Sequence, residues 1–150
     1  MKVFISRSSA ETKKFAEKLA KQIANRKAQS AHRTHALVLA LVGELGSGKT
    51  TFVQGFFKGL GIKKRALSPT FIIVRRFALR DSRFAHVYHV DAYRIKKPKE
   101  LLKIGFKEIL SDPKNIVLIE WADKIRKILP RRARWLSFSH GEAAHKRILL

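Results

Sequence analysis

The chain has 150 residues, of which 45% are apolar and 29% charged, and its 33 Lys and Arg against 11 Asp and Glu give a formal net charge of +22 at pH 7. This is the natural length of one domain, able to bury about 70% of its unfolded surface, and the near-average composition excludes wholesale disorder. The lack of cysteine excludes a disulfide framework and thiol chemistry, and no apolar run approaches the roughly 18 residues of a membrane span.

Met1–Arg7 lacks the apolar core of a secretory signal, so a cytoplasmic domain with no membrane partner is expected. Residues 1–75 hold 15 basic and 3 acidic residues and residues 76–150 hold 18 and 8, so the charge bias runs through the whole chain. Such a surface attracts polyanions such as RNA, tRNA included; the other reading is a source organism whose proteins are basic throughout, or a nucleic acid partner that is merely nearby.

In chain order, Lys2–Ser6 is a short apolar stretch that reads as a strand. Ser8 and Glu11 have capping-box spacing, in which the Ser8 hydroxyl accepts the Glu11 N–H while Glu11 reaches back. Phe15, Leu19 and Ile23 then recur every four residues among lysines, predicting an amphipathic helix to about Lys27. Gln29–His35 is a polar loop. Ala36–Val42 is apolar at every position, as expected of a central strand covered on both faces. A helix from Lys49 to about Leu60 follows, with Phe52 and Phe56 in the core and Gly59 and Gly61 at its end.

Thr70–Leu79 and Phe84–Val90 are β-rich runs joined as a hairpin through Arg80–Arg83. Pro98–Leu110 is predicted helical, Asn115–Trp121 a strand, and Ala122–Leu129 a short helix stopped by Pro130. Strands at Trp135–Ser139 and Arg147–Leu150 flank a turn at Gly141. This order predicts a single α/β domain over 1–150 with a mostly parallel sheet and an antiparallel portion.

Gly43-Glu-Leu-Gly-Ser-Gly-Lys-Thr50 matches G-x-x-x-x-G-K-[ST]. Chance would produce that pattern in only about one in a few hundred chains of this length, and here it follows a buried strand and opens a helix, as a phosphate-binding loop must. Its glycines let successive N–H groups face one centre, and the helix N-terminus adds positive dipole there. Gly43, Glu44, Leu45, Gly46, Ser47, Gly48, Lys49, Thr50 and Thr51 are therefore the candidate nucleotide-binding residues. Lys49 is suited to the β- and γ-phosphates and the Thr50 hydroxyl to Mg²⁺.

Such a site also needs an acid to hold the metal and position the attacking group. Asp91 and Glu120 each end an apolar strand, where open α/β sheets place their ligands. Spacing does not decide between them. Glu11, Glu17, Glu100, Glu108 and Asp112 fall on helices or their ends and read as surface charges. His86 and His89, three apart on a strand, point to opposite faces and read as structural histidines. Trp121 and Trp135 read as core or rim residues, although Trp121, next to Glu120, is also placed to touch a nucleotide or a partner.

The set Gly43–Thr51, Ser68-Pro-Thr-Phe71, His89-Val-Asp-Ala-Tyr-Arg94, Glu100-Leu-Leu and Ile119-Glu-Trp121 resembles the TsaE (YjeE) family in both order and spacing. Those proteins are the P-loop ATPases of bacterial threonylcarbamoyladenosine biosynthesis. The resemblance implies a three-layer P-loop NTPase-like fold and ATP and Mg²⁺ as cofactors. It also implies work with the TsaB–TsaD pair in modifying adenosine 37 of tRNAs that read ANN codons. By the same resemblance Lys49 and Asp91 serve ATP turnover, Thr50 and Glu120 hold the metal, and Ser68 and Thr70 belong to a switch-like loop near the γ-phosphate. Glu44 stands where the family commonly has aspartate, and Ala92 where it has a bulkier apolar residue. With no arginine finger beside the motifs, ATPase activity is expected to be weak without partners. The alternatives are a small P-loop kinase, which would need a lid that Thr70–Val90 does not supply, and a basic RNA-binding module with a vestigial nucleotide site.

Overall fold

The computed structural model describes residues 2–25, 33–63, 73–80, 84–141 and 146–149. The first half runs β1 (Val3–Ser6), α1 (Ser9–Asn25), β2 (Leu37–Gly43), α2 (Lys49–Gly59), β3 (Val74–Ala78) and β4 (His86–Asp91). The second half runs α3 (Lys99–Leu102), α4 (Phe106–Ser111), β5 (Asn115–Glu120), a 3₁₀ turn (Ala122–Ile128), β6 (Arg134–His140) and β7 (Lys146–Leu149).

The strands form one sheet in the order β1-β7-β6-β2-β5-β4-β3. Its centre, β6-β2-β5-β4, is parallel, while β7 and β1 on one flank and β3 on the other add antiparallel pairs. This is the mixed α/β arrangement expected, and the hairpin of β3 and β4 forms as read. The alternation along β2 explains the layering. Leu37, Leu39 and Leu41 enter a cluster with Ala16, Ala20, Phe52 and Phe56 of α1 and α2. Val38 and Ala40 enter the opposite cluster with Leu101, Phe106, Leu110 and Ile125. A strand that is hydrophobic at every position thus has both faces covered.

Helix α1 starts with half of the expected capping box, the Glu11 N–H donating to Ser8 Oγ at 3.1 Å. The Glu11 carboxylate reaches one residue farther back, accepting the Arg7 N–H at 2.7 Å. Helix α1 then lies against α2 at very short range. A Cβ on Gly55 would fall 2.3 Å from the Lys13 carbonyl oxygen, and one on Gly59 would fall 2.5 Å from that of Glu17. Gly59 is therefore a packing residue. The stop belongs to Gly61, whose φ of +75° places the Ile62 N–H on the Phe57 carbonyl, as in a Schellman ending.

Two further details depart from the sequence reading. The helix expected over Pro98–Leu110 is two short ones, because Gly105 takes φ +79° and breaks the hydrogen-bond ladder between them. The helix at Ala122–Leu129 is a 3₁₀ turn with a kink at Ile125, φ −118°. The start of the strand predicted at Thr70, most of the Gln29–His35 loop and Asp81–Arg83 lie outside the described residues. Ala92 is fully buried.

Candidate functional site

Lys49, Thr50, Asp91 and Glu120 meet where the parallel strands end. The loop between β2 and α2 curls over the sheet, with Gly46 and Gly48 at φ of 73° and 102°. Gly43 also needs to be glycine for space, since a Cβ there would sit 2.2 Å from the Phe138 carbonyl oxygen on β6. A cavity of about 180 Å³ opens above the loop, lined by Leu45 to Thr50, Asp91, Tyr93, Glu120 and Trp121. β4 and β5 pair in parallel with Asp91 directly opposite Glu120, so the two candidate acids are neighbours rather than rivals. Glu44 has an exposed side chain and contributes through its backbone. Thr51 is not among the residues lining this cavity. Ser68 and Thr70 lie outside the described residues.

Lys49 is 4% exposed, and its Nζ donates to the carbonyls of Gly43 at 2.7 Å and Glu44 at 2.8 Å. Its ammonium also sits 4.0 Å from the centre of the Trp121 ring, a cation–π contact. Burial lowers its pKa from the usual lysine value, while the charges of Glu120, Asp123 and Asp91 oppose that shift. The site thus holds a desolvated cation whose charge Glu120, Asp123 and Asp91 help to balance.

Glu120 is 2% exposed and its two oxygens have separate partners. Thr50 Oγ1 donates to Oε2 at 2.8 Å, and His89 Nε2 lies 2.8 Å from Oε1. Asp91 Oδ1 accepts the Tyr93 N–H at 2.9 Å, which fixes the turn leaving β4. Thr50 Oγ1 and Glu120 Oε2 are hard oxygen donors beside the phosphate loop. They fit Mg²⁺, which binds proteins through one or two such groups and takes its remaining ligands from phosphates and water.

Two contributors to this site, Tyr93 and His89, are not evident in the sequence, while Trp121 was placed beside it by its neighbour Glu120. Tyr93 lines the cavity, and its ring centre lies 5.0 Å from that of Trp121. Among the described residues Trp121 is the non-glycine residue with positive φ, at 58°, a conformation costing a large residue about 1–2 kcal/mol. His89 faces Glu120 rather than serving only as core. Its place two residues before Asp91 on a strand was the available signal, because a period of two returns a side chain to the same face.

The family model for the threonylcarbamoyl adenosine biosynthesis protein TsaE matches residues 6–148. The chain belongs to the TsaE family. It is 36% identical over 118 residues to the tRNA threonylcarbamoyladenosine biosynthesis protein TsaE of Haemophilus influenzae. It is 35% identical over 128 residues to the protein of the same name from Rickettsia felis. These alignments cover 79% and 85% of this chain and 66% of each relative, so the chain spans just under two thirds of their length. The crystal structure of YdiB from Bacillus subtilis superposes with a TM-score of 0.73 at 26% identity, covering 98% of this chain and 82% of that one. As a TsaE-family member, the chain is a nucleotide-handling P-loop protein, and no helix among the described residues is long and apolar enough to cross a membrane.

The family's phosphate site does not account for the charge of +22. Among the described residues, Lys49 is the basic residue lining the cavity above the loop. Lys13, Lys14, Lys18, Lys21 and Lys58 instead line an open groove between α1 and α2, with Glu17 bridging Lys21 at 2.6 Å and Lys58 at 3.2 Å.

Proposed function

We propose that this chain is a Mg²⁺-dependent ATPase that acts with the TsaB–TsaD pair in threonylcarbamoylation of adenosine 37 of tRNAs reading ANN codons. The observation that carries the reading is the convergence of Lys49, Thr50, Asp91 and Glu120 on one cavity beside the phosphate loop. The names of the family and of its relatives support the pathway.

In this mechanism the loop N–H groups and the dipole of α2 receive the phosphates. Lys49, preset by the carbonyls of Gly43 and Glu44, supplies the mobile positive charge. Thr50 and Glu120 would hold Mg²⁺, which when bound neutralises charge on the triphosphate. Asp91, its carboxylate oriented by the Tyr93 N–H, positions the attacking water in line with the γ-phosphate. Catalysis rests on positioning and electrostatics. Glu120 and Asp91 thereby divide the two tasks that spacing alone left open, in the way the family resemblance implies.

The test is ATP hydrolysis by the purified chain, alone and with TsaB–TsaD from the same source. The expected result is slow turnover that the pair stimulates and that Lys49→Ala abolishes. Turnover undiminished in Lys49→Ala would refute the site, and absence of binding to the pair would refute the partnership. Transfer of phosphate to a nucleoside or small metabolite would instead favour a kinase.

A further inference from the structure

His89 is fully buried on β4, and the fold spends a polar ring in a position that a hydrocarbon could fill. The ring stands edge-on to Phe57, with centres 5.9 Å apart and planes at 81°. Its Nε2 lies 2.8 Å from Glu120 Oε1, with the histidine 0% and the glutamate 3% exposed at the side chain. Its other nitrogen, Nδ1, is buried without a hydrogen-bond partner among the described residues. A carboxylate oxygen accepts, so the contact is made by an N–H donor on Nε2. Strand register makes the contact. His89 pairs with Leu118 and Asp91 with Glu120, which puts His89 and Glu120 on the diagonal of one sheet face.

We infer that His89 is the positioning residue for Glu120: by occupying Oε1, it turns Oε2 toward Thr50 and toward the metal–nucleotide complex. This deepens the proposed function and rests on it. A buried carboxylate that lost this donor would be free to rotate about its last torsion and would seek another partner, including the nearby Lys49 ammonium. His89 acts through Glu120, in the way outer partners orient the carboxylates that ligate metals.

The test compares wild type, His89→Leu and His89→Gln by calorimetric titration with the non-hydrolysable ATP analogue AMP-PNP, in EDTA and across a Mg²⁺ series. His89→Leu is expected to raise the Mg²⁺ concentration at half-effect by about 10–100-fold, while its affinity in EDTA stays within about twofold of wild type. His89→Gln, whose side-chain amide carries an N–H donor toward the same oxygen, is expected to recover most of the loss. An unchanged Mg²⁺ midpoint in His89→Leu overturns the inference. So does an equal loss of affinity with and without metal, which is what a merely structural histidine would produce.

The wild-type chain supplies a second measurement should His89→Leu fail to fold. Nitrogen-15 spectra are expected to show a proton on His89 Nε2, with that resonance moving when Mg²⁺ and AMP-PNP are added together but not with AMP-PNP in EDTA. Absence of a proton on Nε2, or no movement, overturns the assignment. A wild-type chain that binds no AMP-PNP at all refutes the nucleotide reading itself, whereas binding with an indifferent His89 refutes only this inference.

Discussion

Gly55→Ala sets two opposing effects against each other. In the interior of an exposed helix the change would stabilise by about 1 kcal/mol, because alanine loses less backbone entropy than glycine. Here the new Cβ would meet the Lys13 carbonyl oxygen at 2.3 Å, its Cα at 2.6 Å and its carbonyl carbon at 2.8 Å. These are backbone atoms of α1, so no side chain can swing aside. To restore ordinary contact, α1 must retreat by about 1 Å, and a gap of that size forfeits a quarter to a half of the dispersion energy along the seam.

That seam includes Ala16 and Ala20, both fully buried, and Gly59 against Glu17. Overpacking of this kind costs about 1–3 kcal/mol, and because a whole helix moves, the upper end applies. The clash therefore wins, leaving a net loss of about 2 kcal/mol, or a Tm lowered by roughly 4–8 °C for a chain of this size. Urea denaturation followed by circular dichroism measures it, with the m-value unchanged. Lys58→Ala, at an exposed position on the same helix, should stay within about 0.5 kcal/mol. A Gly55→Ala protein as stable as wild type or more so would show that α1 does not rest on the glycine face of α2.

Three other perturbations test the site and the α1–α2 surface. Burial lowers the Lys49 pKa from 10.5, so over the window below that value the unfolded state binds more protons and this group makes stability rise with pH. Nucleotide affinity should fall over the same window as the ammonium is lost. Unfolding of Lys49→Met should lack that part of the slope, and identical slopes would contradict the assignment. Hydrogen bonds from Lys21 and then Lys58 lower the Glu17 pKa from 4.5. Its contribution is therefore present above 4.5 and lost as pH falls through the depressed value, so Glu17→Gln and wild type should differ at neutral pH and converge in acid. Divergence in acid would refute the pairing. Because Lys49 lies over the Trp121 ring, phosphate binding that draws the ammonium away should change indole fluorescence. The change should persist in Trp135→Phe and vanish in Trp121→Phe; its persistence in Trp121→Phe would place the responding group elsewhere.

Much of this molecule is written locally. The apolar run at 36–42, the phosphate-loop spacing and the capping box at Ser8 and Glu11 each depend on neighbours a few residues away; the first two formed as their patterns implied, and the box formed in its Ser8 half, with the Glu11 carboxylate on the Arg7 N–H instead. The break at Gly105 and the 3₁₀ turn after Trp121 were not legible. Both follow from how short segments must bend to cover Val38 and Ala40 on the far face of the sheet, and helical propensity yields to that demand.

The sequence by itself determined the phosphate loop, the strand-end positions of Asp91 and Glu120, and membership in the TsaE family. Each of these is a pattern in one dimension. Only the tertiary structure decided that Asp91 and Glu120 lie side by side, that Lys49 sits under Trp121, that Gly59 packs a helix rather than ending one, and that His89 holds Glu120. Those facts depend on the register of β4 against β5 and on the approach of α1 to α2, contacts between residues far apart in the chain. No local periodicity encodes such distances. They are fixed when the two faces of the sheet are buried together.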